Sequence, residues 1–291
     1  MRDSLDGARD SITLLASEKK TIEQAKTDRD NTLLHLRLGF IAFRLGEIAG
    51  HSHFDDAGSE FEWATTLRPD WPYPWLGLGE AEDRLGDSQI SIVQGLQAMF
   101  GKDHLTRAAN AFAKSGQVDP SFVNGLVELA STALRQRVNI KVDPARQARR
   151  IAASTSASAN PEVLLWRGRV EREVGDADSA LAAFNGYVAG GGNRPLGLLE
   201  VARTRFFMGS VEGQAPYYEG AALPDTNAVA SYRADLALIA NDSALAEFDQ
   251  NPGARRVAML HRFWGERDRK EMLHDGERLR EHYRRLYYAR R

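Results

Sequence analysis

The 291-residue sequence predicts an all-α protein built from successive helical pairs, and three observations carry that prediction. Apolar residues recur at helical spacing almost throughout, densely in Leu33, Leu34, Leu36, Leu38, Phe40, Ile41, Phe43 and Leu45, more sparsely in Leu181, Phe184 and Tyr187. Neither stretch alternates with the period of two expected of half-buried strands, and Val- or Thr-rich runs joined by Asn-Gly or Asp-Gly hairpin signals are missing. Prolines at Pro69, Pro120, Pro161, Pro195 and Pro224 each stand beside Asp, Asn or Arg and just before a new apolar stretch, where proline suits a first helical turn.

Composition narrows the class further. With 43% hydrophobic and 27% charged residues, net charge -2 and a pI of about 6.4, the chain reads as an ordinary water-soluble protein with ample length for a core. The 38 basic residues are balanced by 40 acidic ones, so no global basic excess exists to hold nucleic acid or an anionic membrane. There is no cysteine, hence no disulfide framework and no thiolate chemistry. No apolar run is long enough to span a bilayer. Met1 to Asp6 lack the apolar segment of a signal peptide, so a cytoplasmic location is expected for the sequence as given, and a periplasmic one if a leader has been trimmed.

Taken in order, residues 1–30 read as an amphipathic capping helix with Leu5, Ile12, Leu15, Ile22 and Ala25, ended by the polar Asp28-Arg29-Asp30-Asn31. Residues 31–240 hold the repetition. The proline intervals are 51, 41, 34 and 29 residues, and the third has the length of one helix-turn-helix unit. Within that unit Leu164, Gly168, Gly175, Ala180 and Phe184 supply a bulky residue, a small residue, a turn glycine, an alanine and an aromatic. Gly168 and Ala180 are small where two antiparallel helices cross, Gly175 can end the first helix with positive φ, and Phe184 fills the space between units. Ala57, Phe61, Ala64 and Pro69, then Ala108, Phe112 and Pro120, repeat the second-helix spacing. Trp75, Leu78, Gly79 and Gly86, then Leu126, Leu129 and Ala130, restart the first helix, and Gly209, Tyr218 and Ala221 continue the pattern. Ala148 to Ala153 is the weakest second helix, without an aromatic.

On these residues the sequence resembles tetratricopeptide-repeat (TPR) proteins over roughly residues 30 to 240, with about five or six units. The resemblance implies a right-handed α-solenoid of TPR-like helix pairs whose inner surface, lined by first helices, binds protein partners. Two units run longer than the ideal spacing, with insertions near 47–56 and 88–104. The second contains Ile90, Ile92, Val93, Leu96, Met99 and Phe100, apolar enough for a short helix that covers an edge of the array or meets another chain.

Residues 241–291 form a basic helical extension. From residue 254 onward twelve basic and six acidic residues give a net of +6, with Arg255, Arg256, Arg262, Arg284 and Arg285 beside Trp264, Tyr283, Tyr287 and Tyr288. Val257, Leu260 and Trp264, then Leu279, Tyr283, Leu286 and Tyr287, have helical spacing and read as buried stripes with arginines outside. A tail docking on the acidic repeats or on an acidic partner is expected, and nucleic acid is not. The stretch Phe248-Asp249-Gln250-Asn251-Pro252, with Arg262-Phe263-Trp264, Arg267-Asp268 and Arg278 to Leu286, resembles the opening of the bacterial GWxTD domain. The motif that names that family is absent, and the resemblance implies a bacterial, often exported, lineage but no activity.

No catalytic, cofactor or metal site is expected. Gly95 to Gly101-Lys102 misses the phosphate-loop spacing and has Asp103 where Ser or Thr belongs, and no nucleophile elbow, His-Glu-x-x-His or dinucleotide fingerprint occurs. His51, His53, Asp55 and Asp56 fall in a turn, where the aspartates serve equally as helix caps. Arginines are more informative. Five residues after the packing glycine or alanine stand Arg44, Arg84 and Arg135, whereas the next unit has Glu173 there with Arg169 and Arg172 close by, and Arg203 joins from the following unit. With Phe40 and Tyr73 as apolar contacts, this ladder suits a partner protein or acidic peptide, through bidentate capture of carboxylates, or else merely solvates an inner face. The expected function is a non-catalytic interaction scaffold. The alternative is a structural subunit of a larger assembly that uses the 88–104 insertion and the basic tail as contacts.

Overall fold

The computed structural model describes residue 8, residues 10–87, 103–135, 146, 148–150 and 160–289. They form fourteen α-helices and one short 3-10 turn, with no strand among them. The chain divides into two compact units, Met1–Ser158 and Ala159–Arg291. In each, successive helices pack as antiparallel hairpins, and first helices also pack on the first helices of the next hairpin, the arrangement of an α-solenoid.

The first unit contains α1 (Ser11–Thr27), α2 (Thr32–Ile48), α3 (His53–Leu67), α4 (Pro72–Asp87), α5 (His104–Val118) and α6 (Val123–Arg135). Asp10 starts α1 by accepting the Ile12 and Thr13 N–H groups, and Asn31 starts α2 by accepting those of Leu33 and Leu34. Helix α1 docks by a narrower seam than its sequence suggests. Leu14 and Thr21 are buried, Leu14 against Ile41 and Leu45, whereas Ile12, Leu15 and Ile22 are exposed and Leu5 lies outside the described residues. The longer spacing near residues 47–56 is taken up by α2 running on to Ile48 before a four-residue turn. Most of the 88–104 segment, and the second half of Ala148 to Ala153, lie outside the described residues.

The hairpins are held by one repeated contact. A Cβ placed on Gly39 would lie 2.6 Å from the Phe61 ring, and one on Gly77 2.5 Å from the same ring, so Phe61 of α3 is clasped between the glycines of α2 and α4. Gly79 meets Phe112 of α5 in the same way, again at 2.5 Å. Both rings are fully buried, a gain of about 1.5–3 kcal/mol each relative to an exposed side chain. Where α6 packs on α5 a hydroxyl makes the close contact: a Cβ on Gly125 would lie 2.8 Å from the Ser115 Oγ, which donates to the Pro72 carbonyl at 3.0 Å.

The second unit contains α7 (Pro161–Val174), α8 (Ala177–Ala189), α9 (Arg194–Phe207), the 3-10 turn Val211–Gly213, α10 (Gln214–Ala222), α11 (Thr226–Ala237), α12 (Asp242–Gln250), α13 (Ala254–Glu271) and α14 (Glu277–Ala289). Pro161 opens α7 behind the N-cap Asn160, and Asp176, Asn193, Asp225 and Asn241 cap α8, α9, α11 and α12. Gly168 on Phe184 repeats the lock at 2.5 Å. Gly175 does end α7, but at φ -111 rather than in the left-handed region, its N–H bonding the Glu171 carbonyl. The main core gathers Phe206, Tyr217, Tyr232, Phe248, Trp264, Leu279 and Tyr283. The tail stripes read from the sequence are inside: Leu260, Trp264, Leu279, Tyr283 and Tyr287 are buried, with Val257 and Leu286 half-buried.

Gly168→Leu is expected to lower stability by about 1–3 kcal/mol, because even its first carbon overlaps the Phe184 ring. Denaturant melts followed by circular dichroism measure it, and an unchanged midpoint with full helicity would contradict the packing described.

Candidate functional site

In the first unit the ladder stands on the first helices α2 and α4 and is bridged by one acid. Arg44 donates from Nε to the Ala8 carbonyl at 3.0 Å and from a terminal nitrogen to Glu47 at 2.7 Å. Arg84 reaches the other oxygen of Glu47 at 3.3 Å and lies over the Phe43 ring at 5.8 Å. Two guanidinium groups thus share one carboxylate, and the Arg84 side chain remains 49% exposed. Arg135 ends α6. Tyr73, at the start of α4, is 46% exposed and meets Trp71 and Phe122 with ring centroids at 5.4 and 4.9 Å. Phe40 packs edge-on against Phe61 and belongs to the core cluster.

In the second unit the arginines of α7 and α9 turn inward. Arg169, Arg172 and Arg203 reach the carboxylate of Glu200 at 3.0, 2.7 and 3.1 Å, and Arg203 also grips Asp235 of α11 from Nε at 2.9 Å and a terminal nitrogen at 2.6 Å. Glu200 is 1% and Asp235 3% exposed. Burial alone would raise the Glu200 carboxyl, but Arg172, Arg203 and Arg169 outweigh it and hold the group far below the ordinary range. Burial would likewise lower Arg203, and Asp235 with Glu200 raises it instead. The first-helix face here is covered by α14: Tyr283 stacks on Phe206 at 5.4 Å, Tyr287 meets Phe207 at 4.0 Å, and the Tyr287 hydroxyl donates to the Arg172 carbonyl at 3.1 Å. Phe206 is therefore core. The acids that organise this face escaped the sequence reading, although Glu200 stands three residues before Arg203, a spacing that puts both on one helical surface.

The turn with His51 and His53 shows ordinary helix chemistry. Helix α3 begins at His53 behind Ser52, so Asp55 and Asp56 sit inside its first turn and favour the positive end of the helix rather than capping it. His53 approaches Asp56 at 3.5 Å and His51 packs against Phe54. Among the described residues no three His, Asp or Glu side chains are grouped to hold a metal, and no helix is long and apolar enough to cross a membrane.

The class this geometry defines is an α-helical repeat protein with TPR-like hairpins. No family model matches the chain, and no curated protein matches it. Among solved structures it is similar to a chain of the APC/C hetero-tetramer Cut9-Hcn1, at 12% identity and TM-score 0.44 over 89% of this chain and 45% of that one. It is also similar to TTC0263, a thermophilic TPR protein of Thermus thermophilus, at 19% identity and TM-score 0.40 over 79% of this chain and 99% of that one. Yeast Tom70 follows at 15% identity and TM-score 0.25, over 82% of this chain and 62% of that one. The protein thus spans under half the length of the Cut9-Hcn1 chain it matches. At such scores the likenesses carry no functional argument.

Glu200→Gln is expected to cost about 3–5 kcal/mol in urea melts, because it strips the shared anion from three guanidinium groups. Its carboxyl lies lower folded than unfolded, so its stabilisation is complete above its ordinary value of 4.5 and is lost as pH falls below it. His282 adds an earlier limb. Buried with Nε2 unpartnered, it is held below its ordinary 6.5 mainly by desolvation. The unfolded chain therefore takes up that proton first, and stability declines as pH drops below 6.5. Thermal midpoints between pH 8 and 3 should lose the upper limb in His282→Asn and the lower limb in Glu200→Gln; identical profiles would refute both assignments.

Proposed function

We propose that the protein is a non-catalytic scaffold that binds a partner protein, through an acidic segment, on the first-helix face of its first unit. The observation that carries this reading is the contrast between the two arginine sets. Arg169, Arg172 and Arg203 are consumed by Glu200 and Asp235 beneath α14, whereas Arg44 and Arg84 share a single acid and keep surplus positive charge near the C-terminal ends of α2 and α4, with the exposed ring of Tyr73 at the other end of α4, about 16 Å along the helix. A carboxylate-bearing chain would add the missing negative charge there and lay apolar side chains on Tyr73, with arginines setting register and ring contact adding affinity. This narrows the ladder to Arg44, Arg84 and Arg135 with Tyr73. Phe40, Arg169, Arg172 and Arg203 support the fold on this reading. The folded α14 is consistent with a tail that docks on its own repeats, and residues 248–286 keep their resemblance to the start of a GWxTD domain as a proposal of bacterial lineage.

A fluorescein-labelled acidic peptide rich in Glu and Leu tests the proposal by anisotropy. Replacing Arg84 and Arg135 together by alanine is expected to weaken binding about tenfold or more, equivalent to about 1.4 kcal/mol. Glu47→Gln, which releases both guanidinium groups from their shared acid, is expected to strengthen it. Unchanged affinity in both variants would contradict the assignment.

A further inference from the structure

The sequence places the tail arginines outside, and Arg256 departs from that. It sits in the first turn of α13 with only 6% of its surface exposed, yet it forms no ion pair among the described residues. Its side chain donates to the Ala221 carbonyl at 3.3 Å and lies over the Phe248 ring at 5.0 Å, and its Nε has no acceptor. Asp249, the acid whose field reaches it, is committed to Arg233, with both carboxylate oxygens 2.9 Å from the Arg233 Nε. A buried cation without a counter-ion is costly, so proteins ordinarily pair it or supply its anion from outside. Burial holds this guanidinium below its ordinary range.

Arg256 also lines an open cleft of about 730 Å³ whose walls include Pro224, Val229, Ala230 and Pro252. The N-terminus of α13 enters the same cleft through Gly253, which holds φ at +62 and offers no side chain to cap the helix. No acidic residue stands in that first turn, and Arg255 adds a second positive charge. The one acid in the lining, Asp225, is occupied: it accepts the Ala228 N–H at 2.7 Å and the Asn193 amide at 2.6 Å. An unpaired buried cation, an uncapped positive helix end and aliphatic walls therefore converge on one space.

We infer that this cleft binds a carboxylate carried on a compact aliphatic body, the carboxylate meeting Arg256 and the start of α13 while the aliphatic part lies against Pro224, Val229, Ala230 and Pro252. The C-terminal residue of another protein and a small branched acid share that chemistry. The site is independent of the arginine face of the first unit, so either can fail alone.

Calorimetric titration of the intact protein with N-acetyl-Ala-Val free acid, the same dipeptide as its C-terminal amide, and isovalerate tests it. The free acid is expected to bind at millimolar concentration or better, and the amide at least tenfold more weakly. Arg256→Met is expected to reduce acid binding at least tenfold. Should that variant fold poorly, Ala230→Trp, at an exposed wall position, blocks the cleft with Arg256 intact and is expected to abolish binding. Dipeptide acid binding more tightly than isovalerate assigns the site to chain ends, and equal binding assigns it to small acids. Equal binding of acid and amide, no binding of either acid, or acid binding unaltered in both variants would overturn the inference.

Discussion

The structure depends on an aromatic ring packed closely against a helix that has no side chain at that point. Phe61, Phe112 and Phe184 each occupy the space that a Cβ on Gly39, Gly79 or Gly168 would need, and Phe61 fills that of Gly77 as well. Glycine weakens a helix interior by about 1 kcal/mol relative to alanine, so its recurrence at these stations is explained by what the close approach returns. The ring is fully desolvated, and the two helices come near enough for their remaining side chains to interdigitate. Because Phe61 touches glycines on both the preceding and the following first helix, the same contact that closes one hairpin also joins it to the next. That is how a short hairpin, too small to bury its own face, becomes part of a stack.

Within each unit this packing brings the first helices side by side and makes a ladder of their outward positions. What the ladder does is decided by the acids that face it. In the second unit Glu200 and Asp235 convert three arginines into a buried network, and α14 closes over them with Tyr283 and Tyr287. In the first unit Glu47 alone serves two arginines, and an exposed tyrosine stands on the same set of helices. Arginines on the first helices thus meet different surroundings, a buried network in the second unit and a single shared carboxylate in the first.

Much of the fold was legible in the sequence because it depends on residue size at helical spacing. Gly39, Gly79 and Gly168 with Phe61, Phe112 and Phe184, and the stripes through Trp264 and Tyr283, are local patterns whose burial follows from period alone. The candidate site was legible in part. The arginines could be placed on one face, but their partners lie far along the chain, Glu200 from Arg172 and Asp235 from Arg203, and helical period says nothing of which acid will meet which base. The seam of α1 was misjudged for a related reason. Its apolar residues do not fall on a single line, and only contact with Ile41 and Leu45 selects Leu14 over Leu15. The burial of Arg256 is likewise a tertiary fact, since its neighbour Arg255 is exposed.

The most direct test of the glycine and phenylalanine contact as the element that holds the stack is a double-mutant cycle in the first unit, read by urea denaturation. Gly79→Ala should destabilise the native protein strongly, and should cost much less where Phe112→Leu has already removed the ring, a coupling of about 0.5–3 kcal/mol. Additive effects of the two substitutions, or a Gly79→Ala variant more stable than the parent, would contradict the account.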